Sequence, residues 1–271
     1  MTIDSRWPDD VHRDWAKVLL ARQRDSALVS LSKKPLVIGR FTCETARVEG
    51  VRGKALLAAL VLATICVSTA GAARSTSFHD DFTSFNAQQW AKSSRPFGYG
   101  AIDPANVAVA NDQLGIKLPG GRLDGGEIRS TSLYRYGSHR VRMQVADAPS
   151  SLTAFFLYKK PDYAQEIDIE IFNDSSRRVW FSTYSGGSQT HTIERLLPFD
   201  ATAGFHEYAI EYDPSLVRFL VDGVEMQRWT TGVTRSSMYL YVNAWFPSWL
   251  AGQSPSSDRF TSVDWIDYAS R

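Results

Sequence analysis

At 271 residues the chain could hold one large β domain or two average ones, and its formal net charge of +1 gives no positive field for gripping a nucleic-acid backbone. Its two cysteines, Cys43 and Cys66, lie upstream of everything that reads as folded, which excludes a disulfide framework, a cysteine zinc site and a cysteine nucleophile for the body of the protein. Aromatics make up 12% of the residues and six of the eight tryptophans come after residue 80, a load of flat side chains that suits an uncharged polymer.

Residues 1–50 are rich in Arg, Lys and Asp and carry Trp7 and Trp15 without a sustained apolar face, so they read as a non-native or disordered extension. From Val51 the chain runs Val-Arg-Gly-Lys, then apolar from Ala55 to Val67, then Ser-Thr-Ala-Gly-Ala-Ala before Arg74. That is a basic region, an apolar core of about 13 residues and small residues suited to signal peptidase. Residues 51–73 therefore read as a signal peptide and the protein as secreted, extracellular or periplasmic, with no stable membrane association. A transmembrane anchor would need roughly 20 apolar residues. A signal beginning at Val51 suggests that translation starts there from a non-Met codon; the alternative is a cytoplasmic tail on an anchored protein.

After Arg74 short strands alternate with turns. Asn106 to Ala110, Leu114 to Leu118, Glu127 to Ser130, Arg140 to Val145, Leu152 to Tyr158 and Glu166 to Ile171 qualify first. Arg178 to Tyr184, Glu207 to Tyr212, Leu216 to Val221, Glu225 to Trp229, Met238 to Trp245 and Phe260 to Ile266 follow. So many strands in about 200 residues predict one all-β sandwich over 74–271. Asp222-Gly223 predicts a two-residue hairpin turn with positive φ at both positions.

Gln165 to Ile171 is the most informative stretch. Successive strand side chains point to opposite faces, so Ile167, Ile169 and Ile171 enter the core while Glu166, Asp168 and Glu170 line the other side. Three acids in a row repel one another, which the alternative of a solvated strand face does not explain. The Cα atoms of Glu166 and Glu170 would stand roughly 13 Å apart in an extended strand. Side chains leaning together over a concave sheet could reach the separation of about 5.5 Å that retaining glycosidases use. Met238 to Trp245 alternates as cleanly, with Tyr239, Tyr241, Asn243 and Trp245 on one face. That face is either a sugar platform or a second core layer.

The Glu166-Ile167-Asp168-Ile169-Glu170 strand resembles the catalytic signature of glycoside hydrolase family 16, which includes lichenases, xyloglucan transglycosylases and laminarinases. The resemblance runs from about Asp80 to Tyr268 and includes Gly126-Glu127-Ile128-Arg129-Ser130, Gly204-Phe205-His206-Glu207-Tyr208, Asn243-Ala244-Trp245 and Asp264-Trp265. It implies a concanavalin A-like β-jelly-roll sandwich of two antiparallel sheets, all-β, with the substrate cleft on the concave sheet. It further implies Glu166 as nucleophile, Asp168 as assisting carboxylate, Glu170 as acid/base, and Glu127, Arg129, Tyr184, Asn243 and Trp245 as sugar-binding residues. No cofactor is required on this reading, and one structural calcium with Asp264 as a ligand is implied. Expected partners are a β-linked polysaccharide and no nucleic acid, with the chain a monomer.

Ala164 stands where the lichenases carry a cleft tryptophan, Ser182 replaces a sugar-binding asparagine, and the loop Lys159 to Gln165 is short. These departures bear on the choice of glucan. Hydrolysis, transglycosylation through the same intermediate, and a sugar-binding module on the same sandwich are the competing activities; three aligned acids favour an enzyme.

Overall fold

The computed structural model describes residues 77–271, so the expected extension at 1–50 and signal peptide at 51–73 lie outside the described residues. Four short strands come first: β1 (Phe78–Asp80), β2 (Trp90–Lys92), β3 (Arg95–Phe97) and β4 (Gly100–Ile102). A 3-10 turn at Pro104–Asn106, capped by the Asp103 carboxylate on the Ala105 amide at 2.8 Å, leads into β5 (Val107–Ala110). β6 (Gln113–Leu118), β7 (Gly126–Ser130), β8 (Gly137–Gln144), β9 (Leu152–Tyr158), β10 (Gln165–Phe172) and β11 (Arg178–Ser185) follow. The chain continues through β12 (Ser188–Leu196), β13 (His206–Asp213), β14 (Leu216–Val221), β15 (Val224–Trp229), β16 (Tyr239–Trp245) and β17 (Arg259–Ser270).

These strands build the expected two-sheet jelly-roll. One antiparallel sheet runs β15-β14-β13-β8-β17-β6-β5, with β1 added along β17. The other runs β12-β11-β10-β9-β16-β7-β2, and β3 and β4 form a small separate ribbon.

Alternation explains why the sheets stack. β8 buries Val141 and Met143 and turns Arg140 and Arg142 outward, while β14 buries Val217, Phe219 and Val221. The two inner faces interlock, with the Phe181 and Phe219 rings 4.9 Å apart. Each fully buried isoleucine of β10 contributes about 1.5–3 kcal/mol. The turn between β14 and β15 has φ of 48° at Asp222 and 77° at Gly223, as the dipeptide predicts.

β1 to β4 and β12 were not legible in the sequence. Three residues cannot display an alternation, and β12 is an edge strand in which Ile193 and Leu196 alone interrupt a polar run. Met238 falls just outside β16 and instead exchanges backbone hydrogen bonds with Tyr134. Among the described residues no helix is long and apolar enough to cross a membrane.

Candidate active site

β10 runs through the second sheet between β11 and β9. Its isoleucines are fully buried in the core, and the three acids face the other way. Register then fixes each acid's neighbours, because residues directly opposite share a face. Glu166 lies between Tyr184 and Tyr158, Asp168 between Ser182 and Phe156, and Glu170 between Trp180 and Ala154. β16 extends these rows with Tyr239, Tyr241 and Asn243, and β7 adds Arg129 and Glu127. Stacked Phe156 and Tyr241 rings, 4.8 Å apart and tilted by 14°, floor the centre. Beside them the Arg129 guanidinium sits 4.6 Å over the Tyr239 ring.

All three carboxyls hold their protons more tightly than free acids. Desolvation pushes Glu170, which keeps part of its surface exposed, up to about 7. Burial also raises Glu166, helped by the negative charges of Glu170 and Asp162, while a hydrogen bond from Asp168 works in the opposite direction. Asp168 is pushed well above the usual carboxylate range by burial, then by the charges of Glu166 and Glu170, and by donating to Glu166. The hydrogen bond between Asp168 and Glu166 thus joins two carboxyls that both hold protons more tightly than free acids. Asp168 Oδ1 and Asn243 Oδ1 are buried with no hydrogen-bond partner among the described residues, so each keeps lone pairs free to accept a hydrogen bond.

Glu127 is fully buried and held by protein. Its carboxylate accepts from Arg95 Nη1 at 2.5 Å and Nη2 at 2.7 Å, and from Asn243 Nδ2 at 3.1 Å. Arg95 reaches it because Gly98 lets the β3–β4 turn press on β16: its φ is 63°, and a Cβ there would stand 2.1 Å from the Phe246 carbonyl oxygen. The same turn lays the Phe97 ring on Trp245 with centroids 4.1 Å apart. Trp245, only 6% exposed, is thus packed into an aromatic layer rather than standing free as a platform. Tyr184 is held by Gln189 Nε2 at 2.9 Å and stands 5.5 Å from the Tyr163 ring. The Ser182 and Thr192 hydroxyls share a hydrogen bond of 3.0 Å.

The structure thus gathers the three acids with Arg129, Tyr184 and Asn243 on one face and draws Glu127 and Trp245 beneath it. Asp264 stands apart. It occupies the bulge of β17 between Val263 and Trp265 on the other sheet, and its carboxylate pairs with the Arg142 guanidinium. Among the described residues no three His, Cys, Asp or Glu side chains group to hold a metal ion. A carboxylate already neutralised by a cation does not fit the structural calcium that the resemblance implies.

Several neighbours of the acids were missed. Tyr158 and Trp180 follow from alternation, two residues after Phe156 and four before Tyr184 on the same faces. Arg95 gave no signal, because it sits in a three-residue strand paired only with β4. Asp162, in the loop before β10, accepts a hydrogen bond from the Tyr158 hydroxyl.

A two-sheet jelly-roll with aligned carboxyls among aromatic rings on one open face defines a class of carbohydrate-active β-sandwich proteins. Residues 98–267 match the model of glycosyl hydrolases family 16. A β-glucanase of Paenibacillus polymyxa is 30% identical over 211 residues, covering 71% of this chain and 87% of that protein. The solved β-glucanase of Bacillus licheniformis superposes with a TM-score of 0.66 at 26% identity, covering 72% of this chain and 99% of that one. A prokaryotic β-1,3-1,4-glucanase (lichenase) derived from a mouse hindgut metagenome superposes with a TM-score of 0.64 at 26% identity, covering 72% and 100%. This chain belongs to glycosyl hydrolases family 16 and is a glycoside hydrolase.

Proposed function

We propose that the protein is a secreted, endo-acting retaining hydrolase that cleaves internal β-linkages of a β-1,3-1,4-glucan or a related bacterial exopolysaccharide. The observation that carries this reading is the row of Glu166, Asp168 and Glu170 on the open face of β10, each acid in register with tyrosine, phenylalanine or tryptophan. Similarity to proteins named β-glucanase and lichenase supports the substrate class.

The Glu166 carboxylate attacks the anomeric carbon as the glycosidic C–O bond breaks, and Glu170 gives its proton to the departing sugar oxygen. A water then attacks the same carbon, loses its proton to Glu170, and releases Glu166. Asp168 donates a hydrogen bond to Glu166 and spreads its charge. Arg129, Tyr184 and Asn243 hold the sugar; Glu127 orients Asn243, and Trp245 supports the floor. The route uses no metal or cofactor. Ser182 and Ala164 leave more room than the asparagine and tryptophan that lichenases carry, which favours a glucan differing from theirs in linkage or substitution. The catalytic domain is residues 74–271, released as a monomer after cleavage of 51–73.

Azide rescue tests the roles. Glu166→Ala with an activated aryl β-glycoside and azide is expected to yield the α-glycosyl azide, and Glu170→Ala the β product. Reversed products would reverse the roles; wild-type activity of both variants on every β-glucan of a panel would refute the mechanism. Products from that panel with added acceptor oligosaccharide separate hydrolysis from transglycosylation. N-terminal sequencing of protein from culture medium is expected to begin near Arg74, and finding Met1 there would refute export through the 51–73 signal.

A further inference from the structure

Beyond Glu170 the open face closes with aromatic rings. Trp180 is the neighbour of Glu170 on β11, and its indole stacks on Trp249 with centroids 5.0 Å apart and planes 9° from parallel. Phe172, the next residue of β10 on the same face, is buried edge-on to both, at 5.4 Å from Trp180 and 6.1 Å from Trp249. Trp180 Nε1–H donates to Glu194 Oε2 at 2.7 Å, which ties the indole to its register partner on β12. On the β9 side Glu170 meets Ala154, which offers no polar atom from its side chain.

We propose that Trp180, backed by Trp249, is the positioning residue for Glu170: it walls the carboxyl from water, so the proton stays until the leaving sugar oxygen arrives. The proposal rests on the reading of Glu170 as acid/base. An ionised carboxylate beside a large apolar surface loses hydration that the neutral acid hardly needs, so the wall favours the acid. The charged groups around Glu170 do not supply a substitute for it. Asp168 and Glu166 share its strand and are tied to each other by a hydrogen bond. Glu194 on β12 is occupied by Trp180, with Arg178 at 4.0 Å. Further along its row, Glu127 of β7 is neutralised by Arg95, and β9 presents Ala154 and Phe156. Burial is accordingly the cause that raises the proton affinity of Glu170.

The test is the pH dependence of kcat/KM on the best-cut glucan of the panel, whose basic limb reports the acid of the free enzyme. Trp180→Ser admits water and is expected to lower the basic limb by about one pH unit, a loss of about tenfold above both limbs. Trp180→Phe keeps an apolar ring but also frees Glu194, so its limb is expected at or slightly above the wild-type position. Freed Glu194 would push the limb upward, so a downward shift identifies entry of water. On an aryl glycoside whose leaving group needs no proton, the basic limb of kcat/KM is expected to be absent from both wild type and Trp180→Ser. Trp249→Ser, at the partly buried ring stacked on Trp180, is a second route to the same downward shift if Trp180→Ser does not fold. An unmoved basic limb in a folded serine variant overturns the proposal, as does an equal shift in Trp180→Phe. Failure of the underlying reading looks different: Glu170→Gln would then cut the glucan as fast as wild type, whatever the tryptophan variants do.

Discussion

His139 predicts how this fold responds to acid. It points from β8 into the core, fully buried, with its ring stacked at 4.7 Å on Tyr268 and 5.7 Å on Tyr212. Its Nε2–H donates to the Arg135 carbonyl at 2.8 Å, whereas Nδ1 is buried with no partner among the described residues. A proton on Nδ1 would add an unshared charge to the core, and burial accordingly lowers the pKa from 6.5 to about 4. Because the folded value lies below the unfolded one, the unfolded chain binds the extra proton between pH 6.5 and 4. Stability is therefore retained above pH 6.5 and lost as pH falls, by about 2 kcal/mol at pH 5 and about 3 kcal/mol at pH 4. The perturbation is His139→Phe, which keeps a ring between the tyrosines and removes the titration. Urea unfolding of both proteins at pH 7, 5 and 4 is expected to show a stability difference that shifts in favour of the variant by these amounts. A difference independent of pH would refute the reasoning. So would wild-type stability that follows the variant down to pH 4.

The cleft carboxyls act in the opposite sense. Their folded pKa values are raised, so their favourable contribution is present below the unfolded carboxyl pKa and is lost as pH rises through the folded values, about 7 for Glu170. Glu170→Gln is therefore expected to abolish glucan cleavage yet stabilise the fold by about 3 kcal/mol at pH 8 and by almost nothing at pH 4, read by denaturant unfolding. Arg95→Ala leaves the Glu127 carboxylate buried with only Asn243 to hold it, and is expected to cost about 3–5 kcal/mol in thermal or urea unfolding. Replacing both partners, Arg95→Met with Glu127→Leu, is expected to recover most of that loss. Trp245→Ala is expected to cost about 3–5 kcal/mol because the ring is packed on Phe97. Weakened glucan binding at an unchanged Tm would instead make Trp245 an exposed platform.

The sequence by itself determined what depends on local periodicity. A two-residue repeat sorted the isoleucines of β10 from its acids and sorted Leu240, Val242 and Ala244 from Tyr239, Tyr241 and Asn243 on β16. Asp222-Gly223 determined its own turn, because positive φ is a property of those residues. Only the tertiary structure decided which strands lie side by side, since strand order and register depend on pairings between residues far apart in the chain. It therefore decided that Trp180 stands against Glu170 and that Arg95 reaches Glu127 from a strand too short to announce itself. It also gave Asp264 to Arg142, a pairing made across two strands 122 residues apart. Alternation tells a side chain which face it occupies, but burial and charge there come from the neighbours that long-range pairing brings, and those neighbours set the proton affinities of the acids.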